Sequence, residues 1–169
     1  FLKSRFDGNE RVVVAQHDIH DVFVCPRSNQ PVDTVVCINV LEHIQDDEKA
    51  LAAMGASLDE HGHLLLLVPA HPWPYGSVDE GVGHCRRHTK NELIHKLSRV
   101  GFQIVRCSAF NPVGIVGWWW QGKVLKRRSL ESWQTRLFDQ MVPWLKRIPF
   151  LRGGWIGLSW IVVASKTKA

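Results

Sequence analysis

The sequence predicts an α/β fold, a doubly wound and mostly parallel sheet, from three observations. Short apolar runs rich in Val, Ile and Leu recur at 11–15, 33–39, 63–68, 102–107 and 159–164. Helical patterns separate several of them, at 45–60 and 89–100. The runs lack polar alternation, so the strands are expected to be covered on both faces, joined by right-handed crossovers that leave most of them parallel. At 169 residues the chain is the size of one domain. Its 45% hydrophobic and 22% charged residues are ordinary for a globular protein and exclude disorder.

Taken in order, residues 1–6 read as the last turn of a helix, closed by Asp7-Gly8-Asn9. The run 11–15 is the first strand, by its three consecutive valines, and leads into Asp18 and Ile19. The run 33–39 is the second strand and passes directly into Val40-Leu41-Glu42-His43-Ile44. In the helix 45–60, Asp46, Asp47 and Glu48 suit the positive end of the dipole, and Leu51, Met54 and Leu58 form one apolar face. His61-Gly62 ends that helix ahead of the third strand, 63–68. Residues 69–88 are an irregular stretch rich in Pro, Gly and His. Thr89 is placed to cap a helix reaching Val100, with Glu92 completing a capping box. Gly101 stops it before the fourth strand, 102–107. Two segments rich in Trp and basic residues follow, about 114–126 and 130–147, and 159–164 is the last strand.

In such a fold ligands bind at the carboxyl ends of the strands. The segments after the first three strands are Asp18-Ile19, 39–43 and 69–88, and they hold most of the concentrated polar and aromatic chemistry. Four cysteines, Cys25, Cys37, Cys85 and Cys107, form no C-x-x-C pair, which argues against a zinc ribbon or a disulfide framework. Cys37 and Cys107 lie in apolar runs and read as small core residues. Gly81-Val82-Gly83 follows no strand and opens no helix, so it is no dinucleotide fingerprint.

At these residues the chain resembles the class I S-adenosylmethionine-dependent methyltransferases of the small-molecule type. Residues 33–47, with the Leu41-Glu42-His43 strand end, resemble that family's fourth strand and the start of the helix after it. Residues 62–69 resemble its fifth strand, and Gly83-His84-Cys85-Arg86-Arg87-His88-Thr89 is similar to the region that follows in one subgroup. The resemblance implies a Rossmann-like methyltransferase fold and S-adenosylmethionine as cofactor. The family's Gly-rich first motif and its acidic second-strand end have no counterpart here. The expectation is therefore a single domain over 1–169 that is the C-terminal portion of such an enzyme, binding the cofactor weakly or not at all as it stands.

Carried over position by position, the resemblance implies Asp18 and Ile19 at the adenine and Ile38 and Asn39 beside the methionine part of the cofactor. Some relatives hold a divalent metal with a second carboxylate three residues before the Glu-His pair. Asn39 stands there instead and removes a charge, and the close pairs His17/His20, His61/His63 and His84/His88 have no Cys or third ligand at a spacing suited to zinc, so no metal is expected. The stretch 70–89 is expected to form the substrate mouth, with Trp73, Tyr75, Arg86 and Arg87 touching the acceptor and the two arginines suited to a carboxylate or phosphate. His43 and His84 are the candidate proton acceptors, with Asp79 as an orienting partner. Pro72-Trp73-Pro74-Tyr75 lacks the leading Asp or Asn of adenine-methylating enzymes, so no nucleic-acid substrate is expected.

Charge divides the chain: residues 1–84 carry 5 basic and 13 acidic side chains, residues 85–169 carry 16 and 3. Of the 8 tryptophans, only Trp73 precedes Trp118. No apolar run reaches the roughly 20 residues that span a bilayer. Residues 112–155 are read as a Trp-rich basic lid over the pocket or as a surface that meets anionic lipid. The expected location is the cytoplasm, with contact at the inner membrane face if the second reading holds, and the acceptor is a small molecule or lipid-like. A non-catalytic module of the same fold, binding a partner or a membrane, is the alternative.

Overall fold

The structure, a computed structural model, describes residues 2–128, 140, 154 and 156–167. Four strands form one sheet: β1 (Val32–Ile38), β2 (Leu58–Pro69), β3 (Phe102–Phe110) and β4 (Ser159–Lys166), in the order β1-β2-β4-β3. β1 and β2 are parallel, while β4 runs antiparallel to both β2 and β3. The expected α/β class is found, but only one of these three pairings is parallel. The difference arises at β4, which enters between β2 and β3 from the opposite end of the sheet.

The helices are α1 (Leu2–Arg5), α2 (Asp47–Ser57), α3 (Ser77–Gly81), α4 (Lys90–Arg99) and α5 (Pro112–Trp119). A 3-10 turn, Leu41–His43, precedes α2, and a π-helical segment, Trp120–Val124, continues α5. The caps follow the sequence. Asp46 accepts from the Lys49 amide, and Thr89 Oγ1 accepts from the Glu92 amide. The Glu92 carboxylate pairs with Lys96 at 3.0 Å. The segment 130–147, read as amphipathic, lies outside the described residues.

One face of the sheet carries the core. Leu64, Leu66 and Val68 of β2 and Val162 and Ala164 of β4 pack with Leu51 and Met54 of α2 and Leu93 and Leu97 of α4. A fully buried leucine of this kind contributes about 1.5–3 kcal/mol. Cys37 belongs to the same core, where burial pushes its thiol up to about 11. Burial also raises Cys107.

The other face differs from the expectation of strands covered on both sides. Val36 and Ile38 of β1 are 57% and 56% exposed, and their cross-strand partner residues on β2 are Leu65 and Leu67. α2, α4 and the 3-10 turn all pack on the opposite face, through the core cluster that holds Leu41, Leu51 and Leu93. Residues 11–15 also depart from the expectation, since they form no strand and Val13 is 48% exposed. A β-branched run makes a strand only where a neighbouring edge accepts its ladder hydrogen bonds. Among the described residues no strand pairs with this run.

Candidate active site

The site is built where β1 and β2 end. β1 stops at Asn39, whose φ of 50° lies in the left-handed region that Asn tolerates better than most residues. Its amide donates to the Leu67 carbonyl at 3.0 Å, which ties the turn to β2. The 3-10 turn then buries Leu41 and Glu42 and leaves His43 exposed.

At the end of β2, the Pro69 carbonyl accepts from the His88 amide and the His88 carbonyl from the His71 amide, at 3.0 and 2.9 Å. This short pairing closes the stretch 70–89 into a loop that starts and ends at the same strand end. Gly83, with φ of 80°, turns its carbonyl toward His43 Nδ1 at 2.9 Å. The Cys85 amide donates to the Glu42 carbonyl at 2.8 Å. Residues 83–85 thus run beside 42–43, and His84 comes to lie over Glu42.

Asp79 is the hub of the loop. It is fully buried in α3 and accepts from four donors. His84 Nδ1 and Arg87 Nε donate to one oxygen at 2.9 and 2.7 Å; the Gly76 amide and Trp118 Nε1 donate to the other at 3.0 and 2.9 Å. Burial acts to raise its pKa, but the hydrogen bonds from His84 and Trp118 and the Arg87 charge outweigh it and hold the carboxyl below its ordinary value. Trp118 stacks parallel to the His84 ring, with centroids 6.1 Å apart, and the Arg87 guanidinium lies 5.1 Å from the Trp118 ring centre. The Tyr75 hydroxyl donates to the His84 carbonyl at 2.9 Å.

Glu42 is the opposite case. It is fully buried, and among the described residues neither carboxylate oxygen has a hydrogen-bond partner. His84 Nε2 is 3.7 Å from Oε1. Burial raises the Glu42 pKa against the pull of its own backbone amide and of His84, His43 and Arg87. One ligand atom each from Glu42, His43 and His84 lies within 4.8 Å of the others. The fold brings His84, from the loop after β2, to the Glu42-His43 pair.

The remaining expected residues are placed as follows. Arg87 is 4% exposed and donates to Asp79 and to the Ala70 carbonyl, so it faces inward, away from an acceptor at the mouth. Arg86 donates to Asp47 at 3.2 Å and to the Gln45 carbonyl at 2.8 Å, which holds it along α2. Trp73 is 52% exposed, and Tyr75 is half-buried. Ile38 and Asn39 lie exposed at the β1 end. Ile19 packs against the core. Asp18 is exposed and accepts from both the amide and Nδ1 of His20 at 2.9 Å, an Asx-type turn, which does not fit a carboxylate reaching for adenine. Glu42, set aside in the sequence because Asn39 replaces the carboxylate that accompanies the Glu-His pair in some relatives, is nonetheless buried against His84.

These features define a Rossmann-like methyltransferase fold. Residues 4–106 match the family described as "Methyltransferase domain", and the chain belongs to that family. No curated protein sequence matches it significantly. Among solved structures, a SAM-dependent methyltransferase of Thermotoga maritima is 14% identical with a TM-score of 0.60, over 92% of this chain and 65% of that one. The O-methyltransferase of a trans-AT PKS multienzyme of Brevibacillus brevis, in complex with S-adenosyl-L-homocysteine, is 18% identical with a TM-score of 0.55, over 98% and 53%. The [4+2]-cyclase SpnF is 15% identical with a TM-score of 0.54, over 99% and 60%. The chain spans less than two thirds of each of these three proteins, and at such identities the likeness concerns the fold.

Proposed function

We propose that the protein transfers a methyl group from S-adenosylmethionine to an oxygen or nitrogen of a small-molecule or lipid-like acceptor. The observation that carries this reading is the Asp79–His84 pair at the carboxyl ends of the parallel strands, where ligands of such folds bind. The cofactor supplies a methyl on a sulfonium, already electrophilic. The protein's part is to align the nucleophile and take its proton.

A carboxylate can only accept, so the Asp79–His84 bond places the proton of a neutral imidazole on Nδ1 and leaves Nε2 to receive one. Asp79 also stabilises the imidazolium that results. His43, held by Gly83, faces the same space, its ring 5.0 Å from that of His84. Ile38 and Asn39 flank the methionine part of the cofactor, and Trp73 lies at the acceptor mouth.

The test uses protein expressed from its complete reading frame, given S-adenosylmethionine and panels of hydroxyl and amine acceptors. S-adenosylhomocysteine is expected to appear with one acceptor class. His84→Asn should lower kcat by about 10²–10⁴-fold and leave cofactor affinity unchanged. No cofactor binding by calorimetry and no product with any panel overturns the reading.

Residues 116–128 support a lipid-like acceptor in particular. Trp118 turns inward onto Asp79, as a lid would, but Trp119 and Trp120 are 37% and 51% exposed, and Val116 and Leu125 are exposed too. Lys123, Lys126, Arg127 and Arg128 lie exposed beside them. Indole rings favour the headgroup layer, and each basic residue near anionic lipid contributes about 1 kcal/mol. Co-sedimentation with anionic but not neutral vesicles, weakened by salt and by Trp119→Ala/Trp120→Ala, is expected. Failure to bind anionic vesicles at low salt points to a soluble acceptor. No helix among the described residues is long and apolar enough to cross a membrane.

A further inference from the structure

Two imidazoles and a buried carboxylate meet in the site, and among the described residues no donor reaches the carboxylate. The Gly83 carbonyl can only accept, so His43 Nδ1 carries a proton and its Nε2 is left with the lone pair of a neutral ring. Asp79 imposes the same tautomer on His84. Glu42 adds a carboxylate with both oxygens buried and unpartnered. Removing a carboxylate from water without a partner is costly, and the His84 Nε2 lone pair 3.7 Å from Oε1 adds to the cost. Something positive resolves the arrangement.

From this geometry we infer that Glu42, His43 and His84 bind a divalent transition-metal ion. Two imidazoles and one carboxylate suit zinc, cobalt, nickel, manganese or iron(II), rather than magnesium or calcium, which favour all-oxygen ligands. Both histidines already have the outer contact that metal-binding imidazoles use, an Nδ1–H held by a carboxylate or a backbone carbonyl. His43 is exposed, so the ion has a route in, and three protein ligands leave positions open for water or an acceptor oxygen.

Asp79 then acts as a positioning residue for a ligand. His84 Nε2 takes either a proton or the ion, not both. With an ion in place, His84 would hold the metal instead of taking the proton, and the metal would acidify a bound acceptor hydroxyl so that its proton could pass to water. That consequence rests on the methyl-transfer reading; the binding of the ion does not.

The experiment therefore contains neither cofactor nor acceptor. Chelator-treated protein from the complete reading frame is titrated with Co²⁺ and with Zn²⁺, followed by the visible cobalt spectrum and by calorimetry. About one ion per chain is expected. His84→Asn and Glu42→Gln should each weaken binding more than tenfold, and Arg99→Ala, at the far end of α4, should not change it. Circular dichroism checks that the variants fold. Should they not, paramagnetic broadening of the His43 and His84 ring signals by Mn²⁺ in the unmutated protein gives a second reading. Absence of binding at submillimolar metal, binding unchanged in both folded variants, or broadening confined to other histidines overturns the inference. A positive titration with no methyl transfer would retain the ion site and discard the activity.

Discussion

Arg86 and Arg87 are adjacent in the chain and belong to two networks of opposite character. Arg86 joins Lys96 on Asp47, with Lys96 also paired to Glu92, so cations and anions are matched and α2 is fastened to α4. Arg87 enters the cluster of Asp79, His84 and Glu42, where Asp79 receives four donors and Glu42 none. The difference teaches how to tell a fastening from a site. A fastening satisfies every group it buries. The second network saturates one carboxylate and leaves another bare, at the strand ends where a ligand has room.

The largest expected effect comes from breaking the saturated half of the second network. Arg87→Met leaves Asp79 buried without its guanidinium and should cost about 3–5 kcal/mol in urea unfolding at neutral pH. Asp79 has a lowered folded pKa, so its contribution is present above the unfolded value of about 3.9 and fades as pH falls through the folded one. The penalty of Arg87→Met should shrink along the same course.

The first network gives the next effect. Asp47→Asn should cost about 2 kcal/mol, because its two cations are partly exposed and regain water. It should leave S-adenosylhomocysteine formation untouched; a loss of activity would mean that the two networks are not separate.

Glu42 carries the opposite sign. Its folded pKa is raised by burial, so the wild-type protein is relatively more stable below the unfolded value of about 4.3 and loses that advantage as pH rises through the folded one. In metal-free protein Glu42→Gln should therefore raise stability by about 1 kcal/mol near pH 7–8, with the gain vanishing toward pH 4. A destabilised Glu42→Gln at neutral pH would show that the carboxylate has a partner after all. The smallest effect is reserved for the exposed Glu48–Arg99 pair, whose removal should shift stability by no more than about 0.5 kcal/mol.

Much of this was legible in the sequence. The runs near 33–39, 63–68, 102–107 and 159–164 are strands because Val, Ile and Leu pack well on a pleated surface, and Thr89 caps the helix its position predicts, whereas Asp46, expected inside the first turn, is itself the cap. The run 11–15 looks just as strand-like but lacks a pairing edge, and edges are a property of tertiary structure. His43, Asp79 and His84 were singled out from residue type and strand-end position, and the structure brings the three together. What stayed hidden was that Glu42 and His84, far apart in sequence, come within 3.7 Å, since that depends on the turn at Gly83 and on the Cys85–Glu42 backbone bond. Local polarity likewise misjudged Arg87, because nothing in Arg86-Arg87 tells which arginine turns inward.

The position of β4 has a consequence in time. It is the latest of the described strands in the sequence, yet it lies between β2 and β3 and pairs with both along their length. While the chain is being synthesised, β3 has no partner to hold it to β2 until the residues around 159–166 have emerged. The nascent chain must therefore carry two unpaired edges, including the apolar 64–68 stretch, through the making of about ninety further residues. Folding of this kind depends on late, long-range pairing and is slow and exposed to association on the way. A chaperone that shields β2 during that interval is expected to raise the yield of folded protein.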